Sequence, residues 1–407
     1  MSSEAAPPSP VPARVLYASY GMGLGSITIS NVFNLIVPLY ALSIGAGPSE
    51  IGLLVGAWAA GPALFALHGG SLVDRFGARR VMLGGTVLTT VLAILVPTVP
   101  QFWILVPLQF CSGLLTTLSW LASQAQVAQQ CRGDAAILGQ YNFTIRIGTI
   151  LAPPAAGALW DAAGAWPTFC ALASMGVALH ILVRVVADPN VDVATRPWPS
   201  LMTVLPRISD YTRALKLMLL PIIAFTIVVS TLRNGTSGLQ TSIYLVYLHD
   251  IGYQGTVIGI LFGAAEVAVA LASLFVGTVK RLGPTEWVLL GTAVVATVAI
   301  SATPFLNGNF VLLMLMMILI GAAQGFMQPI IFSIQSMESG KDFQGAVVGL
   351  RLTTNRITNT IIPPIAGTVA EFAGVEMGFV LVGAAFLIGC AVTGYVIATR
   401  PAFRLTR

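Results

Sequence analysis

Charge is scarce in this chain of 407 residues: Lys, Arg, Asp and Glu together make up 9% of it, against about 25% in a soluble globular protein. That shortfall excludes a cytosolic enzyme and a nucleic-acid binder. The net charge of +5 does not restore the second class, because nucleic-acid recognition needs a basic face on a soluble fold. Cysteine is scarce as well. Cys111, Cys170 and Cys390 lie inside apolar runs and Cys131 at the end of one, and their spacings match no disulfide framework or metal signature. A secretory leader is also missing, since Met1 to Ala13 is rich in Pro, Ser and Ala and has neither a basic start nor a short apolar core. Residues 1–15 read as a disordered cytoplasmic tail. No nucleotide-binding loop, dinucleotide fingerprint, haem ligand pair or metal cluster is found, so no catalytic residue, metal or bound cofactor is expected.

What the chain has in abundance is apolar sequence. Hydrophobic residues make up 56% of it and the mean hydropathy is +0.87, the balance of an integral membrane protein whose first partner is the lipid bilayer. A spanning helix needs about 20 apolar residues. Twelve such runs are expected, near 16–44, 50–70, 80–99, 102–128, 137–160, 166–187, 216–247, 255–279, 285–304, 310–336, 344–370 and 377–398. Basic residues concentrate in short cytoplasmic loops. With both termini placed inside, sixteen of the 20 Lys and Arg residues fall on the cytoplasmic side, and the external loops hold only Glu50, Asp161, Asp250, Glu371 and Glu376 among the charged residues. Adding or dropping one span would scramble that pattern.

The stretch 188–215 carries Pro189, Pro197, Pro199 and Pro206 and reads as a cytoplasmic linker between two six-helix bundles, 16–187 and 216–398, with a basic tail at 399–407. The halves repeat one another. Ile51–Ala57 aligns with Ile258–Ala264, and Arg146, Pro153, Pro154, Gly157, Asp161 and Gly164 recur as Arg356, Pro363, Pro364, Gly367, Glu371 and Gly374 at a constant offset of 210. Apolar composition alone does not reproduce an Arg, a Pro pair, a Gly, an acid and a Gly in one spacing. Parallel six-span repeats are an architecture of secondary transporters, with the substrate between the halves near the midplane.

After span two the chain runs Gly70-Ser71-Leu72-Val73-Asp74-Arg75-Phe76-Gly77-Ala78-Arg79-Arg80, which resembles the signature loop of the major facilitator superfamily. The second copy is reduced to Lys280-Arg281-Leu282-Gly283. The resemblance implies the twelve-span fold of that superfamily and a latch in which Gly70, Asp74, Arg75, Gly77 and Arg79 hold the outward-facing state. Asp74 would face a helix N-terminus of the other half, and the basic residues either bind lipid phosphates or acidic partners or only fix topology. Span five, with Gly148, Ala152, Pro153, Ala156, Gly157 and Leu159, is similar to the pattern of the family's exporters, which leans towards efflux. Tight helix packing explains the same residues, and Pro363 with Gly367 repeats them in span eleven. In span four, Gln109 stands where proton-coupled drug exchangers of the family carry Arg, three residues before Ser112-Gly113, so that proton relay is not expected.

Ionisable residues at bilayer depth cost roughly 2.5–3.5 kcal/mol on insertion scales and mark functional sites. Arg146, Arg233, Glu266, Arg351 and Arg356 stand out. Their excess of positive charge points to an anionic or zwitterionic solute, because a guanidinium suits carboxylate or phosphate. Equally, Arg146 and Arg356 as repeat mates fit a structural role, and Arg351 lies nearer the cytoplasmic end. Glu266 fits either a static pair with Arg233 or a group that binds and releases a proton, since desolvation raises a carboxyl pKa and a nearby Arg lowers it. Asn31 and Asn34, Ser237 and Gln240 with Tyr244, Asn142 with Thr149, and Gln324 with Gln328 and Gln335 form polar stripes at helical spacing. Together these residues describe a secondary transporter of a small organic solute, driven by an ion gradient, with protons the expected ion and a monomer sufficient. Proton-coupled export is the leading reading, organic-anion uptake the second, and a non-transporting receptor or scaffold on the same fold the rival. Short loops place the chain in a bacterial inner membrane.

Overall fold

The computed structural model describes residues 13–65, 73, 76–131, 135–185, 220–338 and 340–400. The expected tail at 1–12, the linker at 188–215 and residues 401–407 lie outside the described residues, as do Gly70, Asp74 and Arg75. Among the described residues the chain is helical and contains no strand. The first bundle comprises α1 (Ala13–Ser43), α2 (Pro48–Phe65), α3 (Ala78–Leu95), α4 (Phe102–Cys131), α5 (Ala135–Ala163) and α6 (Ala165–Val185). The second comprises α7 (Pro221–Thr241), α8 (Ile243–Asp250), α9 (Gly255–Leu274), α10 (Val276–Val279), α11 (Thr285–Ser301), α12 (Phe310–Glu338), α13 (Gly340–Ala373) and α14 (Val375–Thr399).

A helix stands at each of the twelve expected positions, and two of the expected spans are broken. Span seven divides at Ser242, whose φ of −110° and ψ of −90° leave the helical region and separate α7 from α8. The last turn of α7 is closed twice at Gly238, whose carbonyl accepts both the N–H of Ser242 at 3.1 Å and its hydroxyl at 2.6 Å. Span eight divides at Phe275, with φ of −100° and ψ of 11°, into α9 and α10, and the chain then bends by 107° between Val276–Leu282 and Thr285–Ser301. Among the described residues, eight spans are long and apolar enough to cross a membrane by themselves, or nine with the bent pair. The helices that fall short are α2, α5 and α13.

All three face protein. α2 packs along α13, and α5 along α9, so these four helices carry the seam between the bundles. The repeat is crossed there: a Cβ on Gly52 would collide with the carbonyl of Pro363, and one on its mate Gly259 with the carbonyl of Pro153. Likewise Gly157 lies against the backbone of Gly255, and Gly367 against that of Pro48. The two stretches that align in the sequence are therefore the two faces of one seam, glycine on one side and proline carbonyl on the other. Pro153 and Pro363, each followed by a second proline inside its helix, lack the N–H that would bond within the helix. Gly164 and Gly374, another repeat pair, turn the chain between consecutive helices with φ of 80° and 91°, a conformation that favours glycine.

A candidate substrate site between the two bundles

The seam encloses a cavity of about 190 Å³ in which both bundles take part. Asn31 and Asn34 reach it from α1, Thr149 and Pro153 from α5, Ser237 and Gln240 from α7, Glu266 from α9 and Gln324 from α12. Leu35, Leu245 and Phe262 give it apolar wall. Its volume is below the 300–1,000 Å³ of drug-sized sites, which fits a small solute.

Charge enters across the seam. Arg146 on α5 donates from Nη1 to Oε2 of Glu266 on α9 at 3.4 Å, and the two side chains are 48% and 38% exposed. The alternative partner expected from the sequence, Arg233, is therefore displaced: helical spacing shows which residues share a face, not which helix meets it. Charge-assisted bonds between well-seated partners run at 2.7–2.9 Å. A pair at 3.4 Å, with Glu266 lining the cavity, is loose enough to exchange with charged groups of a solute. Arg233 lies within electrostatic reach of both Glu266 and Arg146, and its Nε is buried without a hydrogen-bond partner. The hydroxyl of Thr149 donates to the Arg146 carbonyl at 2.9 Å, one turn away on the same helix.

No arginine is among the residues that line the cavity, and Arg356 and Arg351 make their contacts elsewhere. Arg356 lies 5.9 Å from the Trp58 ring centroid, against α2 of the other bundle, and Arg351 stacks 3.8 Å over Phe332 on α12. Arg351 is 2% exposed, with Nε and Nη1 unpartnered. The anticipated gathering of four arginines thus reduces to Arg146 and Arg233 near Glu266. The polar stripes fare better. Asn31, Ser237, Gln240 and Gln324 reach the cavity, with the Oδ1 of Asn34 and the Nε2 of Gln324 left unpartnered. Tyr244 lies beyond the Ser242 break, its ring edge-on to Phe262 and Phe379 at 6.2 and 6.5 Å. Gln109 is fully buried, with both amide atoms unpartnered.

Two residues that sequence reasoning recorded only as external acids close one end of the seam. Asp161, near the end of α5, accepts the N–H groups of Gly255 and Thr256 at 2.8 and 2.6 Å, together with the Thr256 hydroxyl. Glu371 on α13 accepts the N–H and hydroxyl of Ser49 at 3.2 and 3.3 Å. Each carboxylate caps the first turn of a helix in the other bundle, where free N–H groups and the helix dipole favour an anion. Their recurrence at one offset was the signal for this role. Of the loop after span two, Gly77 precedes α3 with φ of 84°, and Arg79 donates to the carbonyls of Val183 and Arg184 at 3.4 and 3.1 Å, capping the end of α6.

A membrane protein of two crossed six-helix repeats around a polar, charged cavity has the architecture of a secondary transporter. The sequence profile of the Major Facilitator Superfamily matches residues 20–242 and 223–406; the chain belongs to this superfamily and is one of its transporters. Among characterised proteins it is similar to the quinolone resistance protein NorA of Staphylococcus aureus strain MSSA476, 24% identical over 348 residues that cover 83% of this chain and 84% of that protein. NorA of strain N315 matches equally, at 24% identity over 348 residues. Among solved structures, the nucleoside transporter NupG superposes with a TM-score of 0.74 at 15% identity, covering 94% of this chain and 100% of that one. A bacterial homologue of the human lysosomal transporter Spinster, in an inward-facing and unoccupied conformation, gives 0.72 at 13% identity over 98% and 99% of the two chains.

Proposed function

We propose that the protein moves a small zwitterionic or anionic organic solute by alternating access between its two bundles, and that a zwitterion is exported in exchange for protons. The observation that carries this reading is the loose Arg146–Glu266 pair, which joins the bundles and whose carboxylate lines the cavity. The similarity to NorA, a resistance protein, supports the outward direction. The carrier works in a bacterial inner membrane, with both termini in the cytoplasm, as a monomer and without a bound cofactor.

Coupling follows from competition. A solute ammonium on Glu266 and a proton on Glu266 exclude one another, so binding one releases the other, and linkage makes that antagonism reciprocal. A solute carboxylate meanwhile occupies Arg146 and Arg233. This is the sign that an exchanger needs. A solute with only a negative charge would act in the opposite sense, since by occupying Arg146 it would leave Glu266 unpaired and favour its protonation, and solute and proton would then travel together. Asp161 and Glu371 seal the end that the charge distribution places outside, so this conformation is the one that receives solute from the cytoplasm.

The test is counterflow in proteoliposomes with labelled organic zwitterions, anions, cations and neutral sugars, with and without a pH gradient, for the native protein and Glu266→Gln. We expect zwitterions to move against protons, and Glu266→Gln to retain exchange while losing pH-driven accumulation. Anions moving with protons would establish uptake instead. Movement of cations or neutral solutes only would defeat the charge reading. Absence of transport from the native protein would leave a receptor or scaffold.

A further inference from the structure

An apolar recess of the first bundle lies outside the solute site. It is a groove of about 520 Å³ between α1, α5 and α6. Its floor is made of small residues, Gly21 and Gly25 on α1 and Gly148 and Ala155 on α5 among them, while Leu151 and Leu179 stand at its sides. From Gly21 to Val32 along α1 it extends about 16 Å at 1.5 Å per residue, a little more than one leaflet of a hydrocarbon core about 30 Å thick. The Thr168 hydroxyl in its wall is satisfied by the Gly164 carbonyl at 2.8 Å, so the groove offers little for a polar ligand.

At its cytoplasmic end the groove changes character. A second recess shares Gly21 and Leu24 with it and is lined by Tyr17, Tyr20, Gln140 and Thr144. Tyr17 and Phe143 at this mouth are 70% and 68% exposed, the amphipathic rings that collect at a membrane interface. The Tyr20 hydroxyl donates to Gln140 at 2.8 Å, tying α1 to α5 just below them. Arg14, exposed, stands one turn before Tyr17 on the same face of α1, and Arg184, also exposed, stands two residues beyond the groove residue Leu182. Among the described residues, the cytoplasmic ends of α1, α5 and α6 carry no carboxylate.

An apolar slot one leaflet deep that ends in aromatic rings and then in arginine matches the order of an anionic phospholipid: chain, interface, phosphate. We propose that this groove binds one acyl chain of an anionic phospholipid of the cytoplasmic leaflet, with the phosphate held at Arg14. The site bears on transport because Ile147 and Gly148 back onto Arg146 and Thr149, so the chain supports the rear of the helix that presents the ion pair to the solute.

Native mass spectrometry of the full protein, supplied with phosphatidylglycerol or phosphatidylcholine of identical chains, tests this directly. We expect one phosphatidylglycerol retained per chain in preference to phosphatidylcholine. Arg14→Gln should weaken it about fivefold, the worth of one basic residue at an anionic surface. Ala155→Phe with Ala178→Phe, at two exposed positions in the groove, should abolish retention while the helical circular dichroism stays unchanged. Equal retention of the two lipids, retention after the groove is filled, displacement by free glycerol phosphate, or a second protein copy seated on this face would each overturn the proposal.

Discussion

Asp161 and Glu371 hold matching corners of the seam, each capping a helix of the bundle to which it does not belong. Loss of a helix cap costs about 1 kcal/mol, a factor of about five in an equilibrium. Asp161→Ala should therefore raise the outward-open population about fivefold, and Glu371→Ala by less, because its bonds are longer. A cysteine placed at Ser237 in a chain cleared of its own cysteines, labelled by an impermeant thiol reagent added from outside, reports the shift. Unchanged labelling in the double variant would remove the latch role.

The glycines of the seam allow a sharper test. Gly259→Ala and Gly52→Ala put a methyl group where the carbonyls of Pro153 and Pro363 lie, and backbone does not yield as a flexible side chain does. Each should lower the initial transport rate more than tenfold while the protein remains folded and monodisperse. Labelling at Ser237 from outside should rise in both. Normal transport in either variant would mean that the seam opens less tightly than this conformation shows.

For the ion pair, stability and function should part company. Both side chains are substantially exposed, so the pair contributes at most about 1 kcal/mol. Arg146→Gln and Glu266→Gln should each shift the thermal midpoint by only a few degrees, with the double variant no worse than either. Transport should fall severely in Arg146→Gln. A large loss of stability with binding preserved would make the pair a structural strut.

Arg351 gives the contrasting expectation. It is buried, carries two unpartnered donors and makes its recorded contact with the face of Phe332. Unpaired buried polar groups are costly, and a cation–π contact offsets only about 0.5–2 kcal/mol. Arg351→Met should leave stability unchanged or raise it, and leave solute affinity within twofold. A strong affinity loss would place Arg351 in the solute path.

The fold was legible because its determinants are local or periodic. Apolar runs, the one-sided placement of Lys and Arg, and the recurrence of Arg146 to Gly164 as Arg356 to Gly374 all lie on the surface of the text. The site was legible in its inventory: Asn31, Gln240, Glu266 and Gln324 meet at one cavity. Its pairings were not, because they depend on how distant helices rotate against each other. Glu266 meets Arg146 from another bundle rather than Arg233, and Arg356 meets Trp58. The break at Ser242 was hidden for a different reason, since no Gly or Pro stands at it or beside it to announce it.

The seam of glycine against proline carbonyl has a consequence for how the protein diversifies. A surface made of backbone contains no interlocking side chains to be re-matched when the cargo changes, so long as its glycines are kept. It also has no teeth to disengage, so the bundles roll on a smooth bearing that the capping carboxylates and the Arg146–Glu266 pair hold in place. The walls at Asn31, Gln240 and Gln324 are then free to be rewritten for new solutes while the bearing stays as it is.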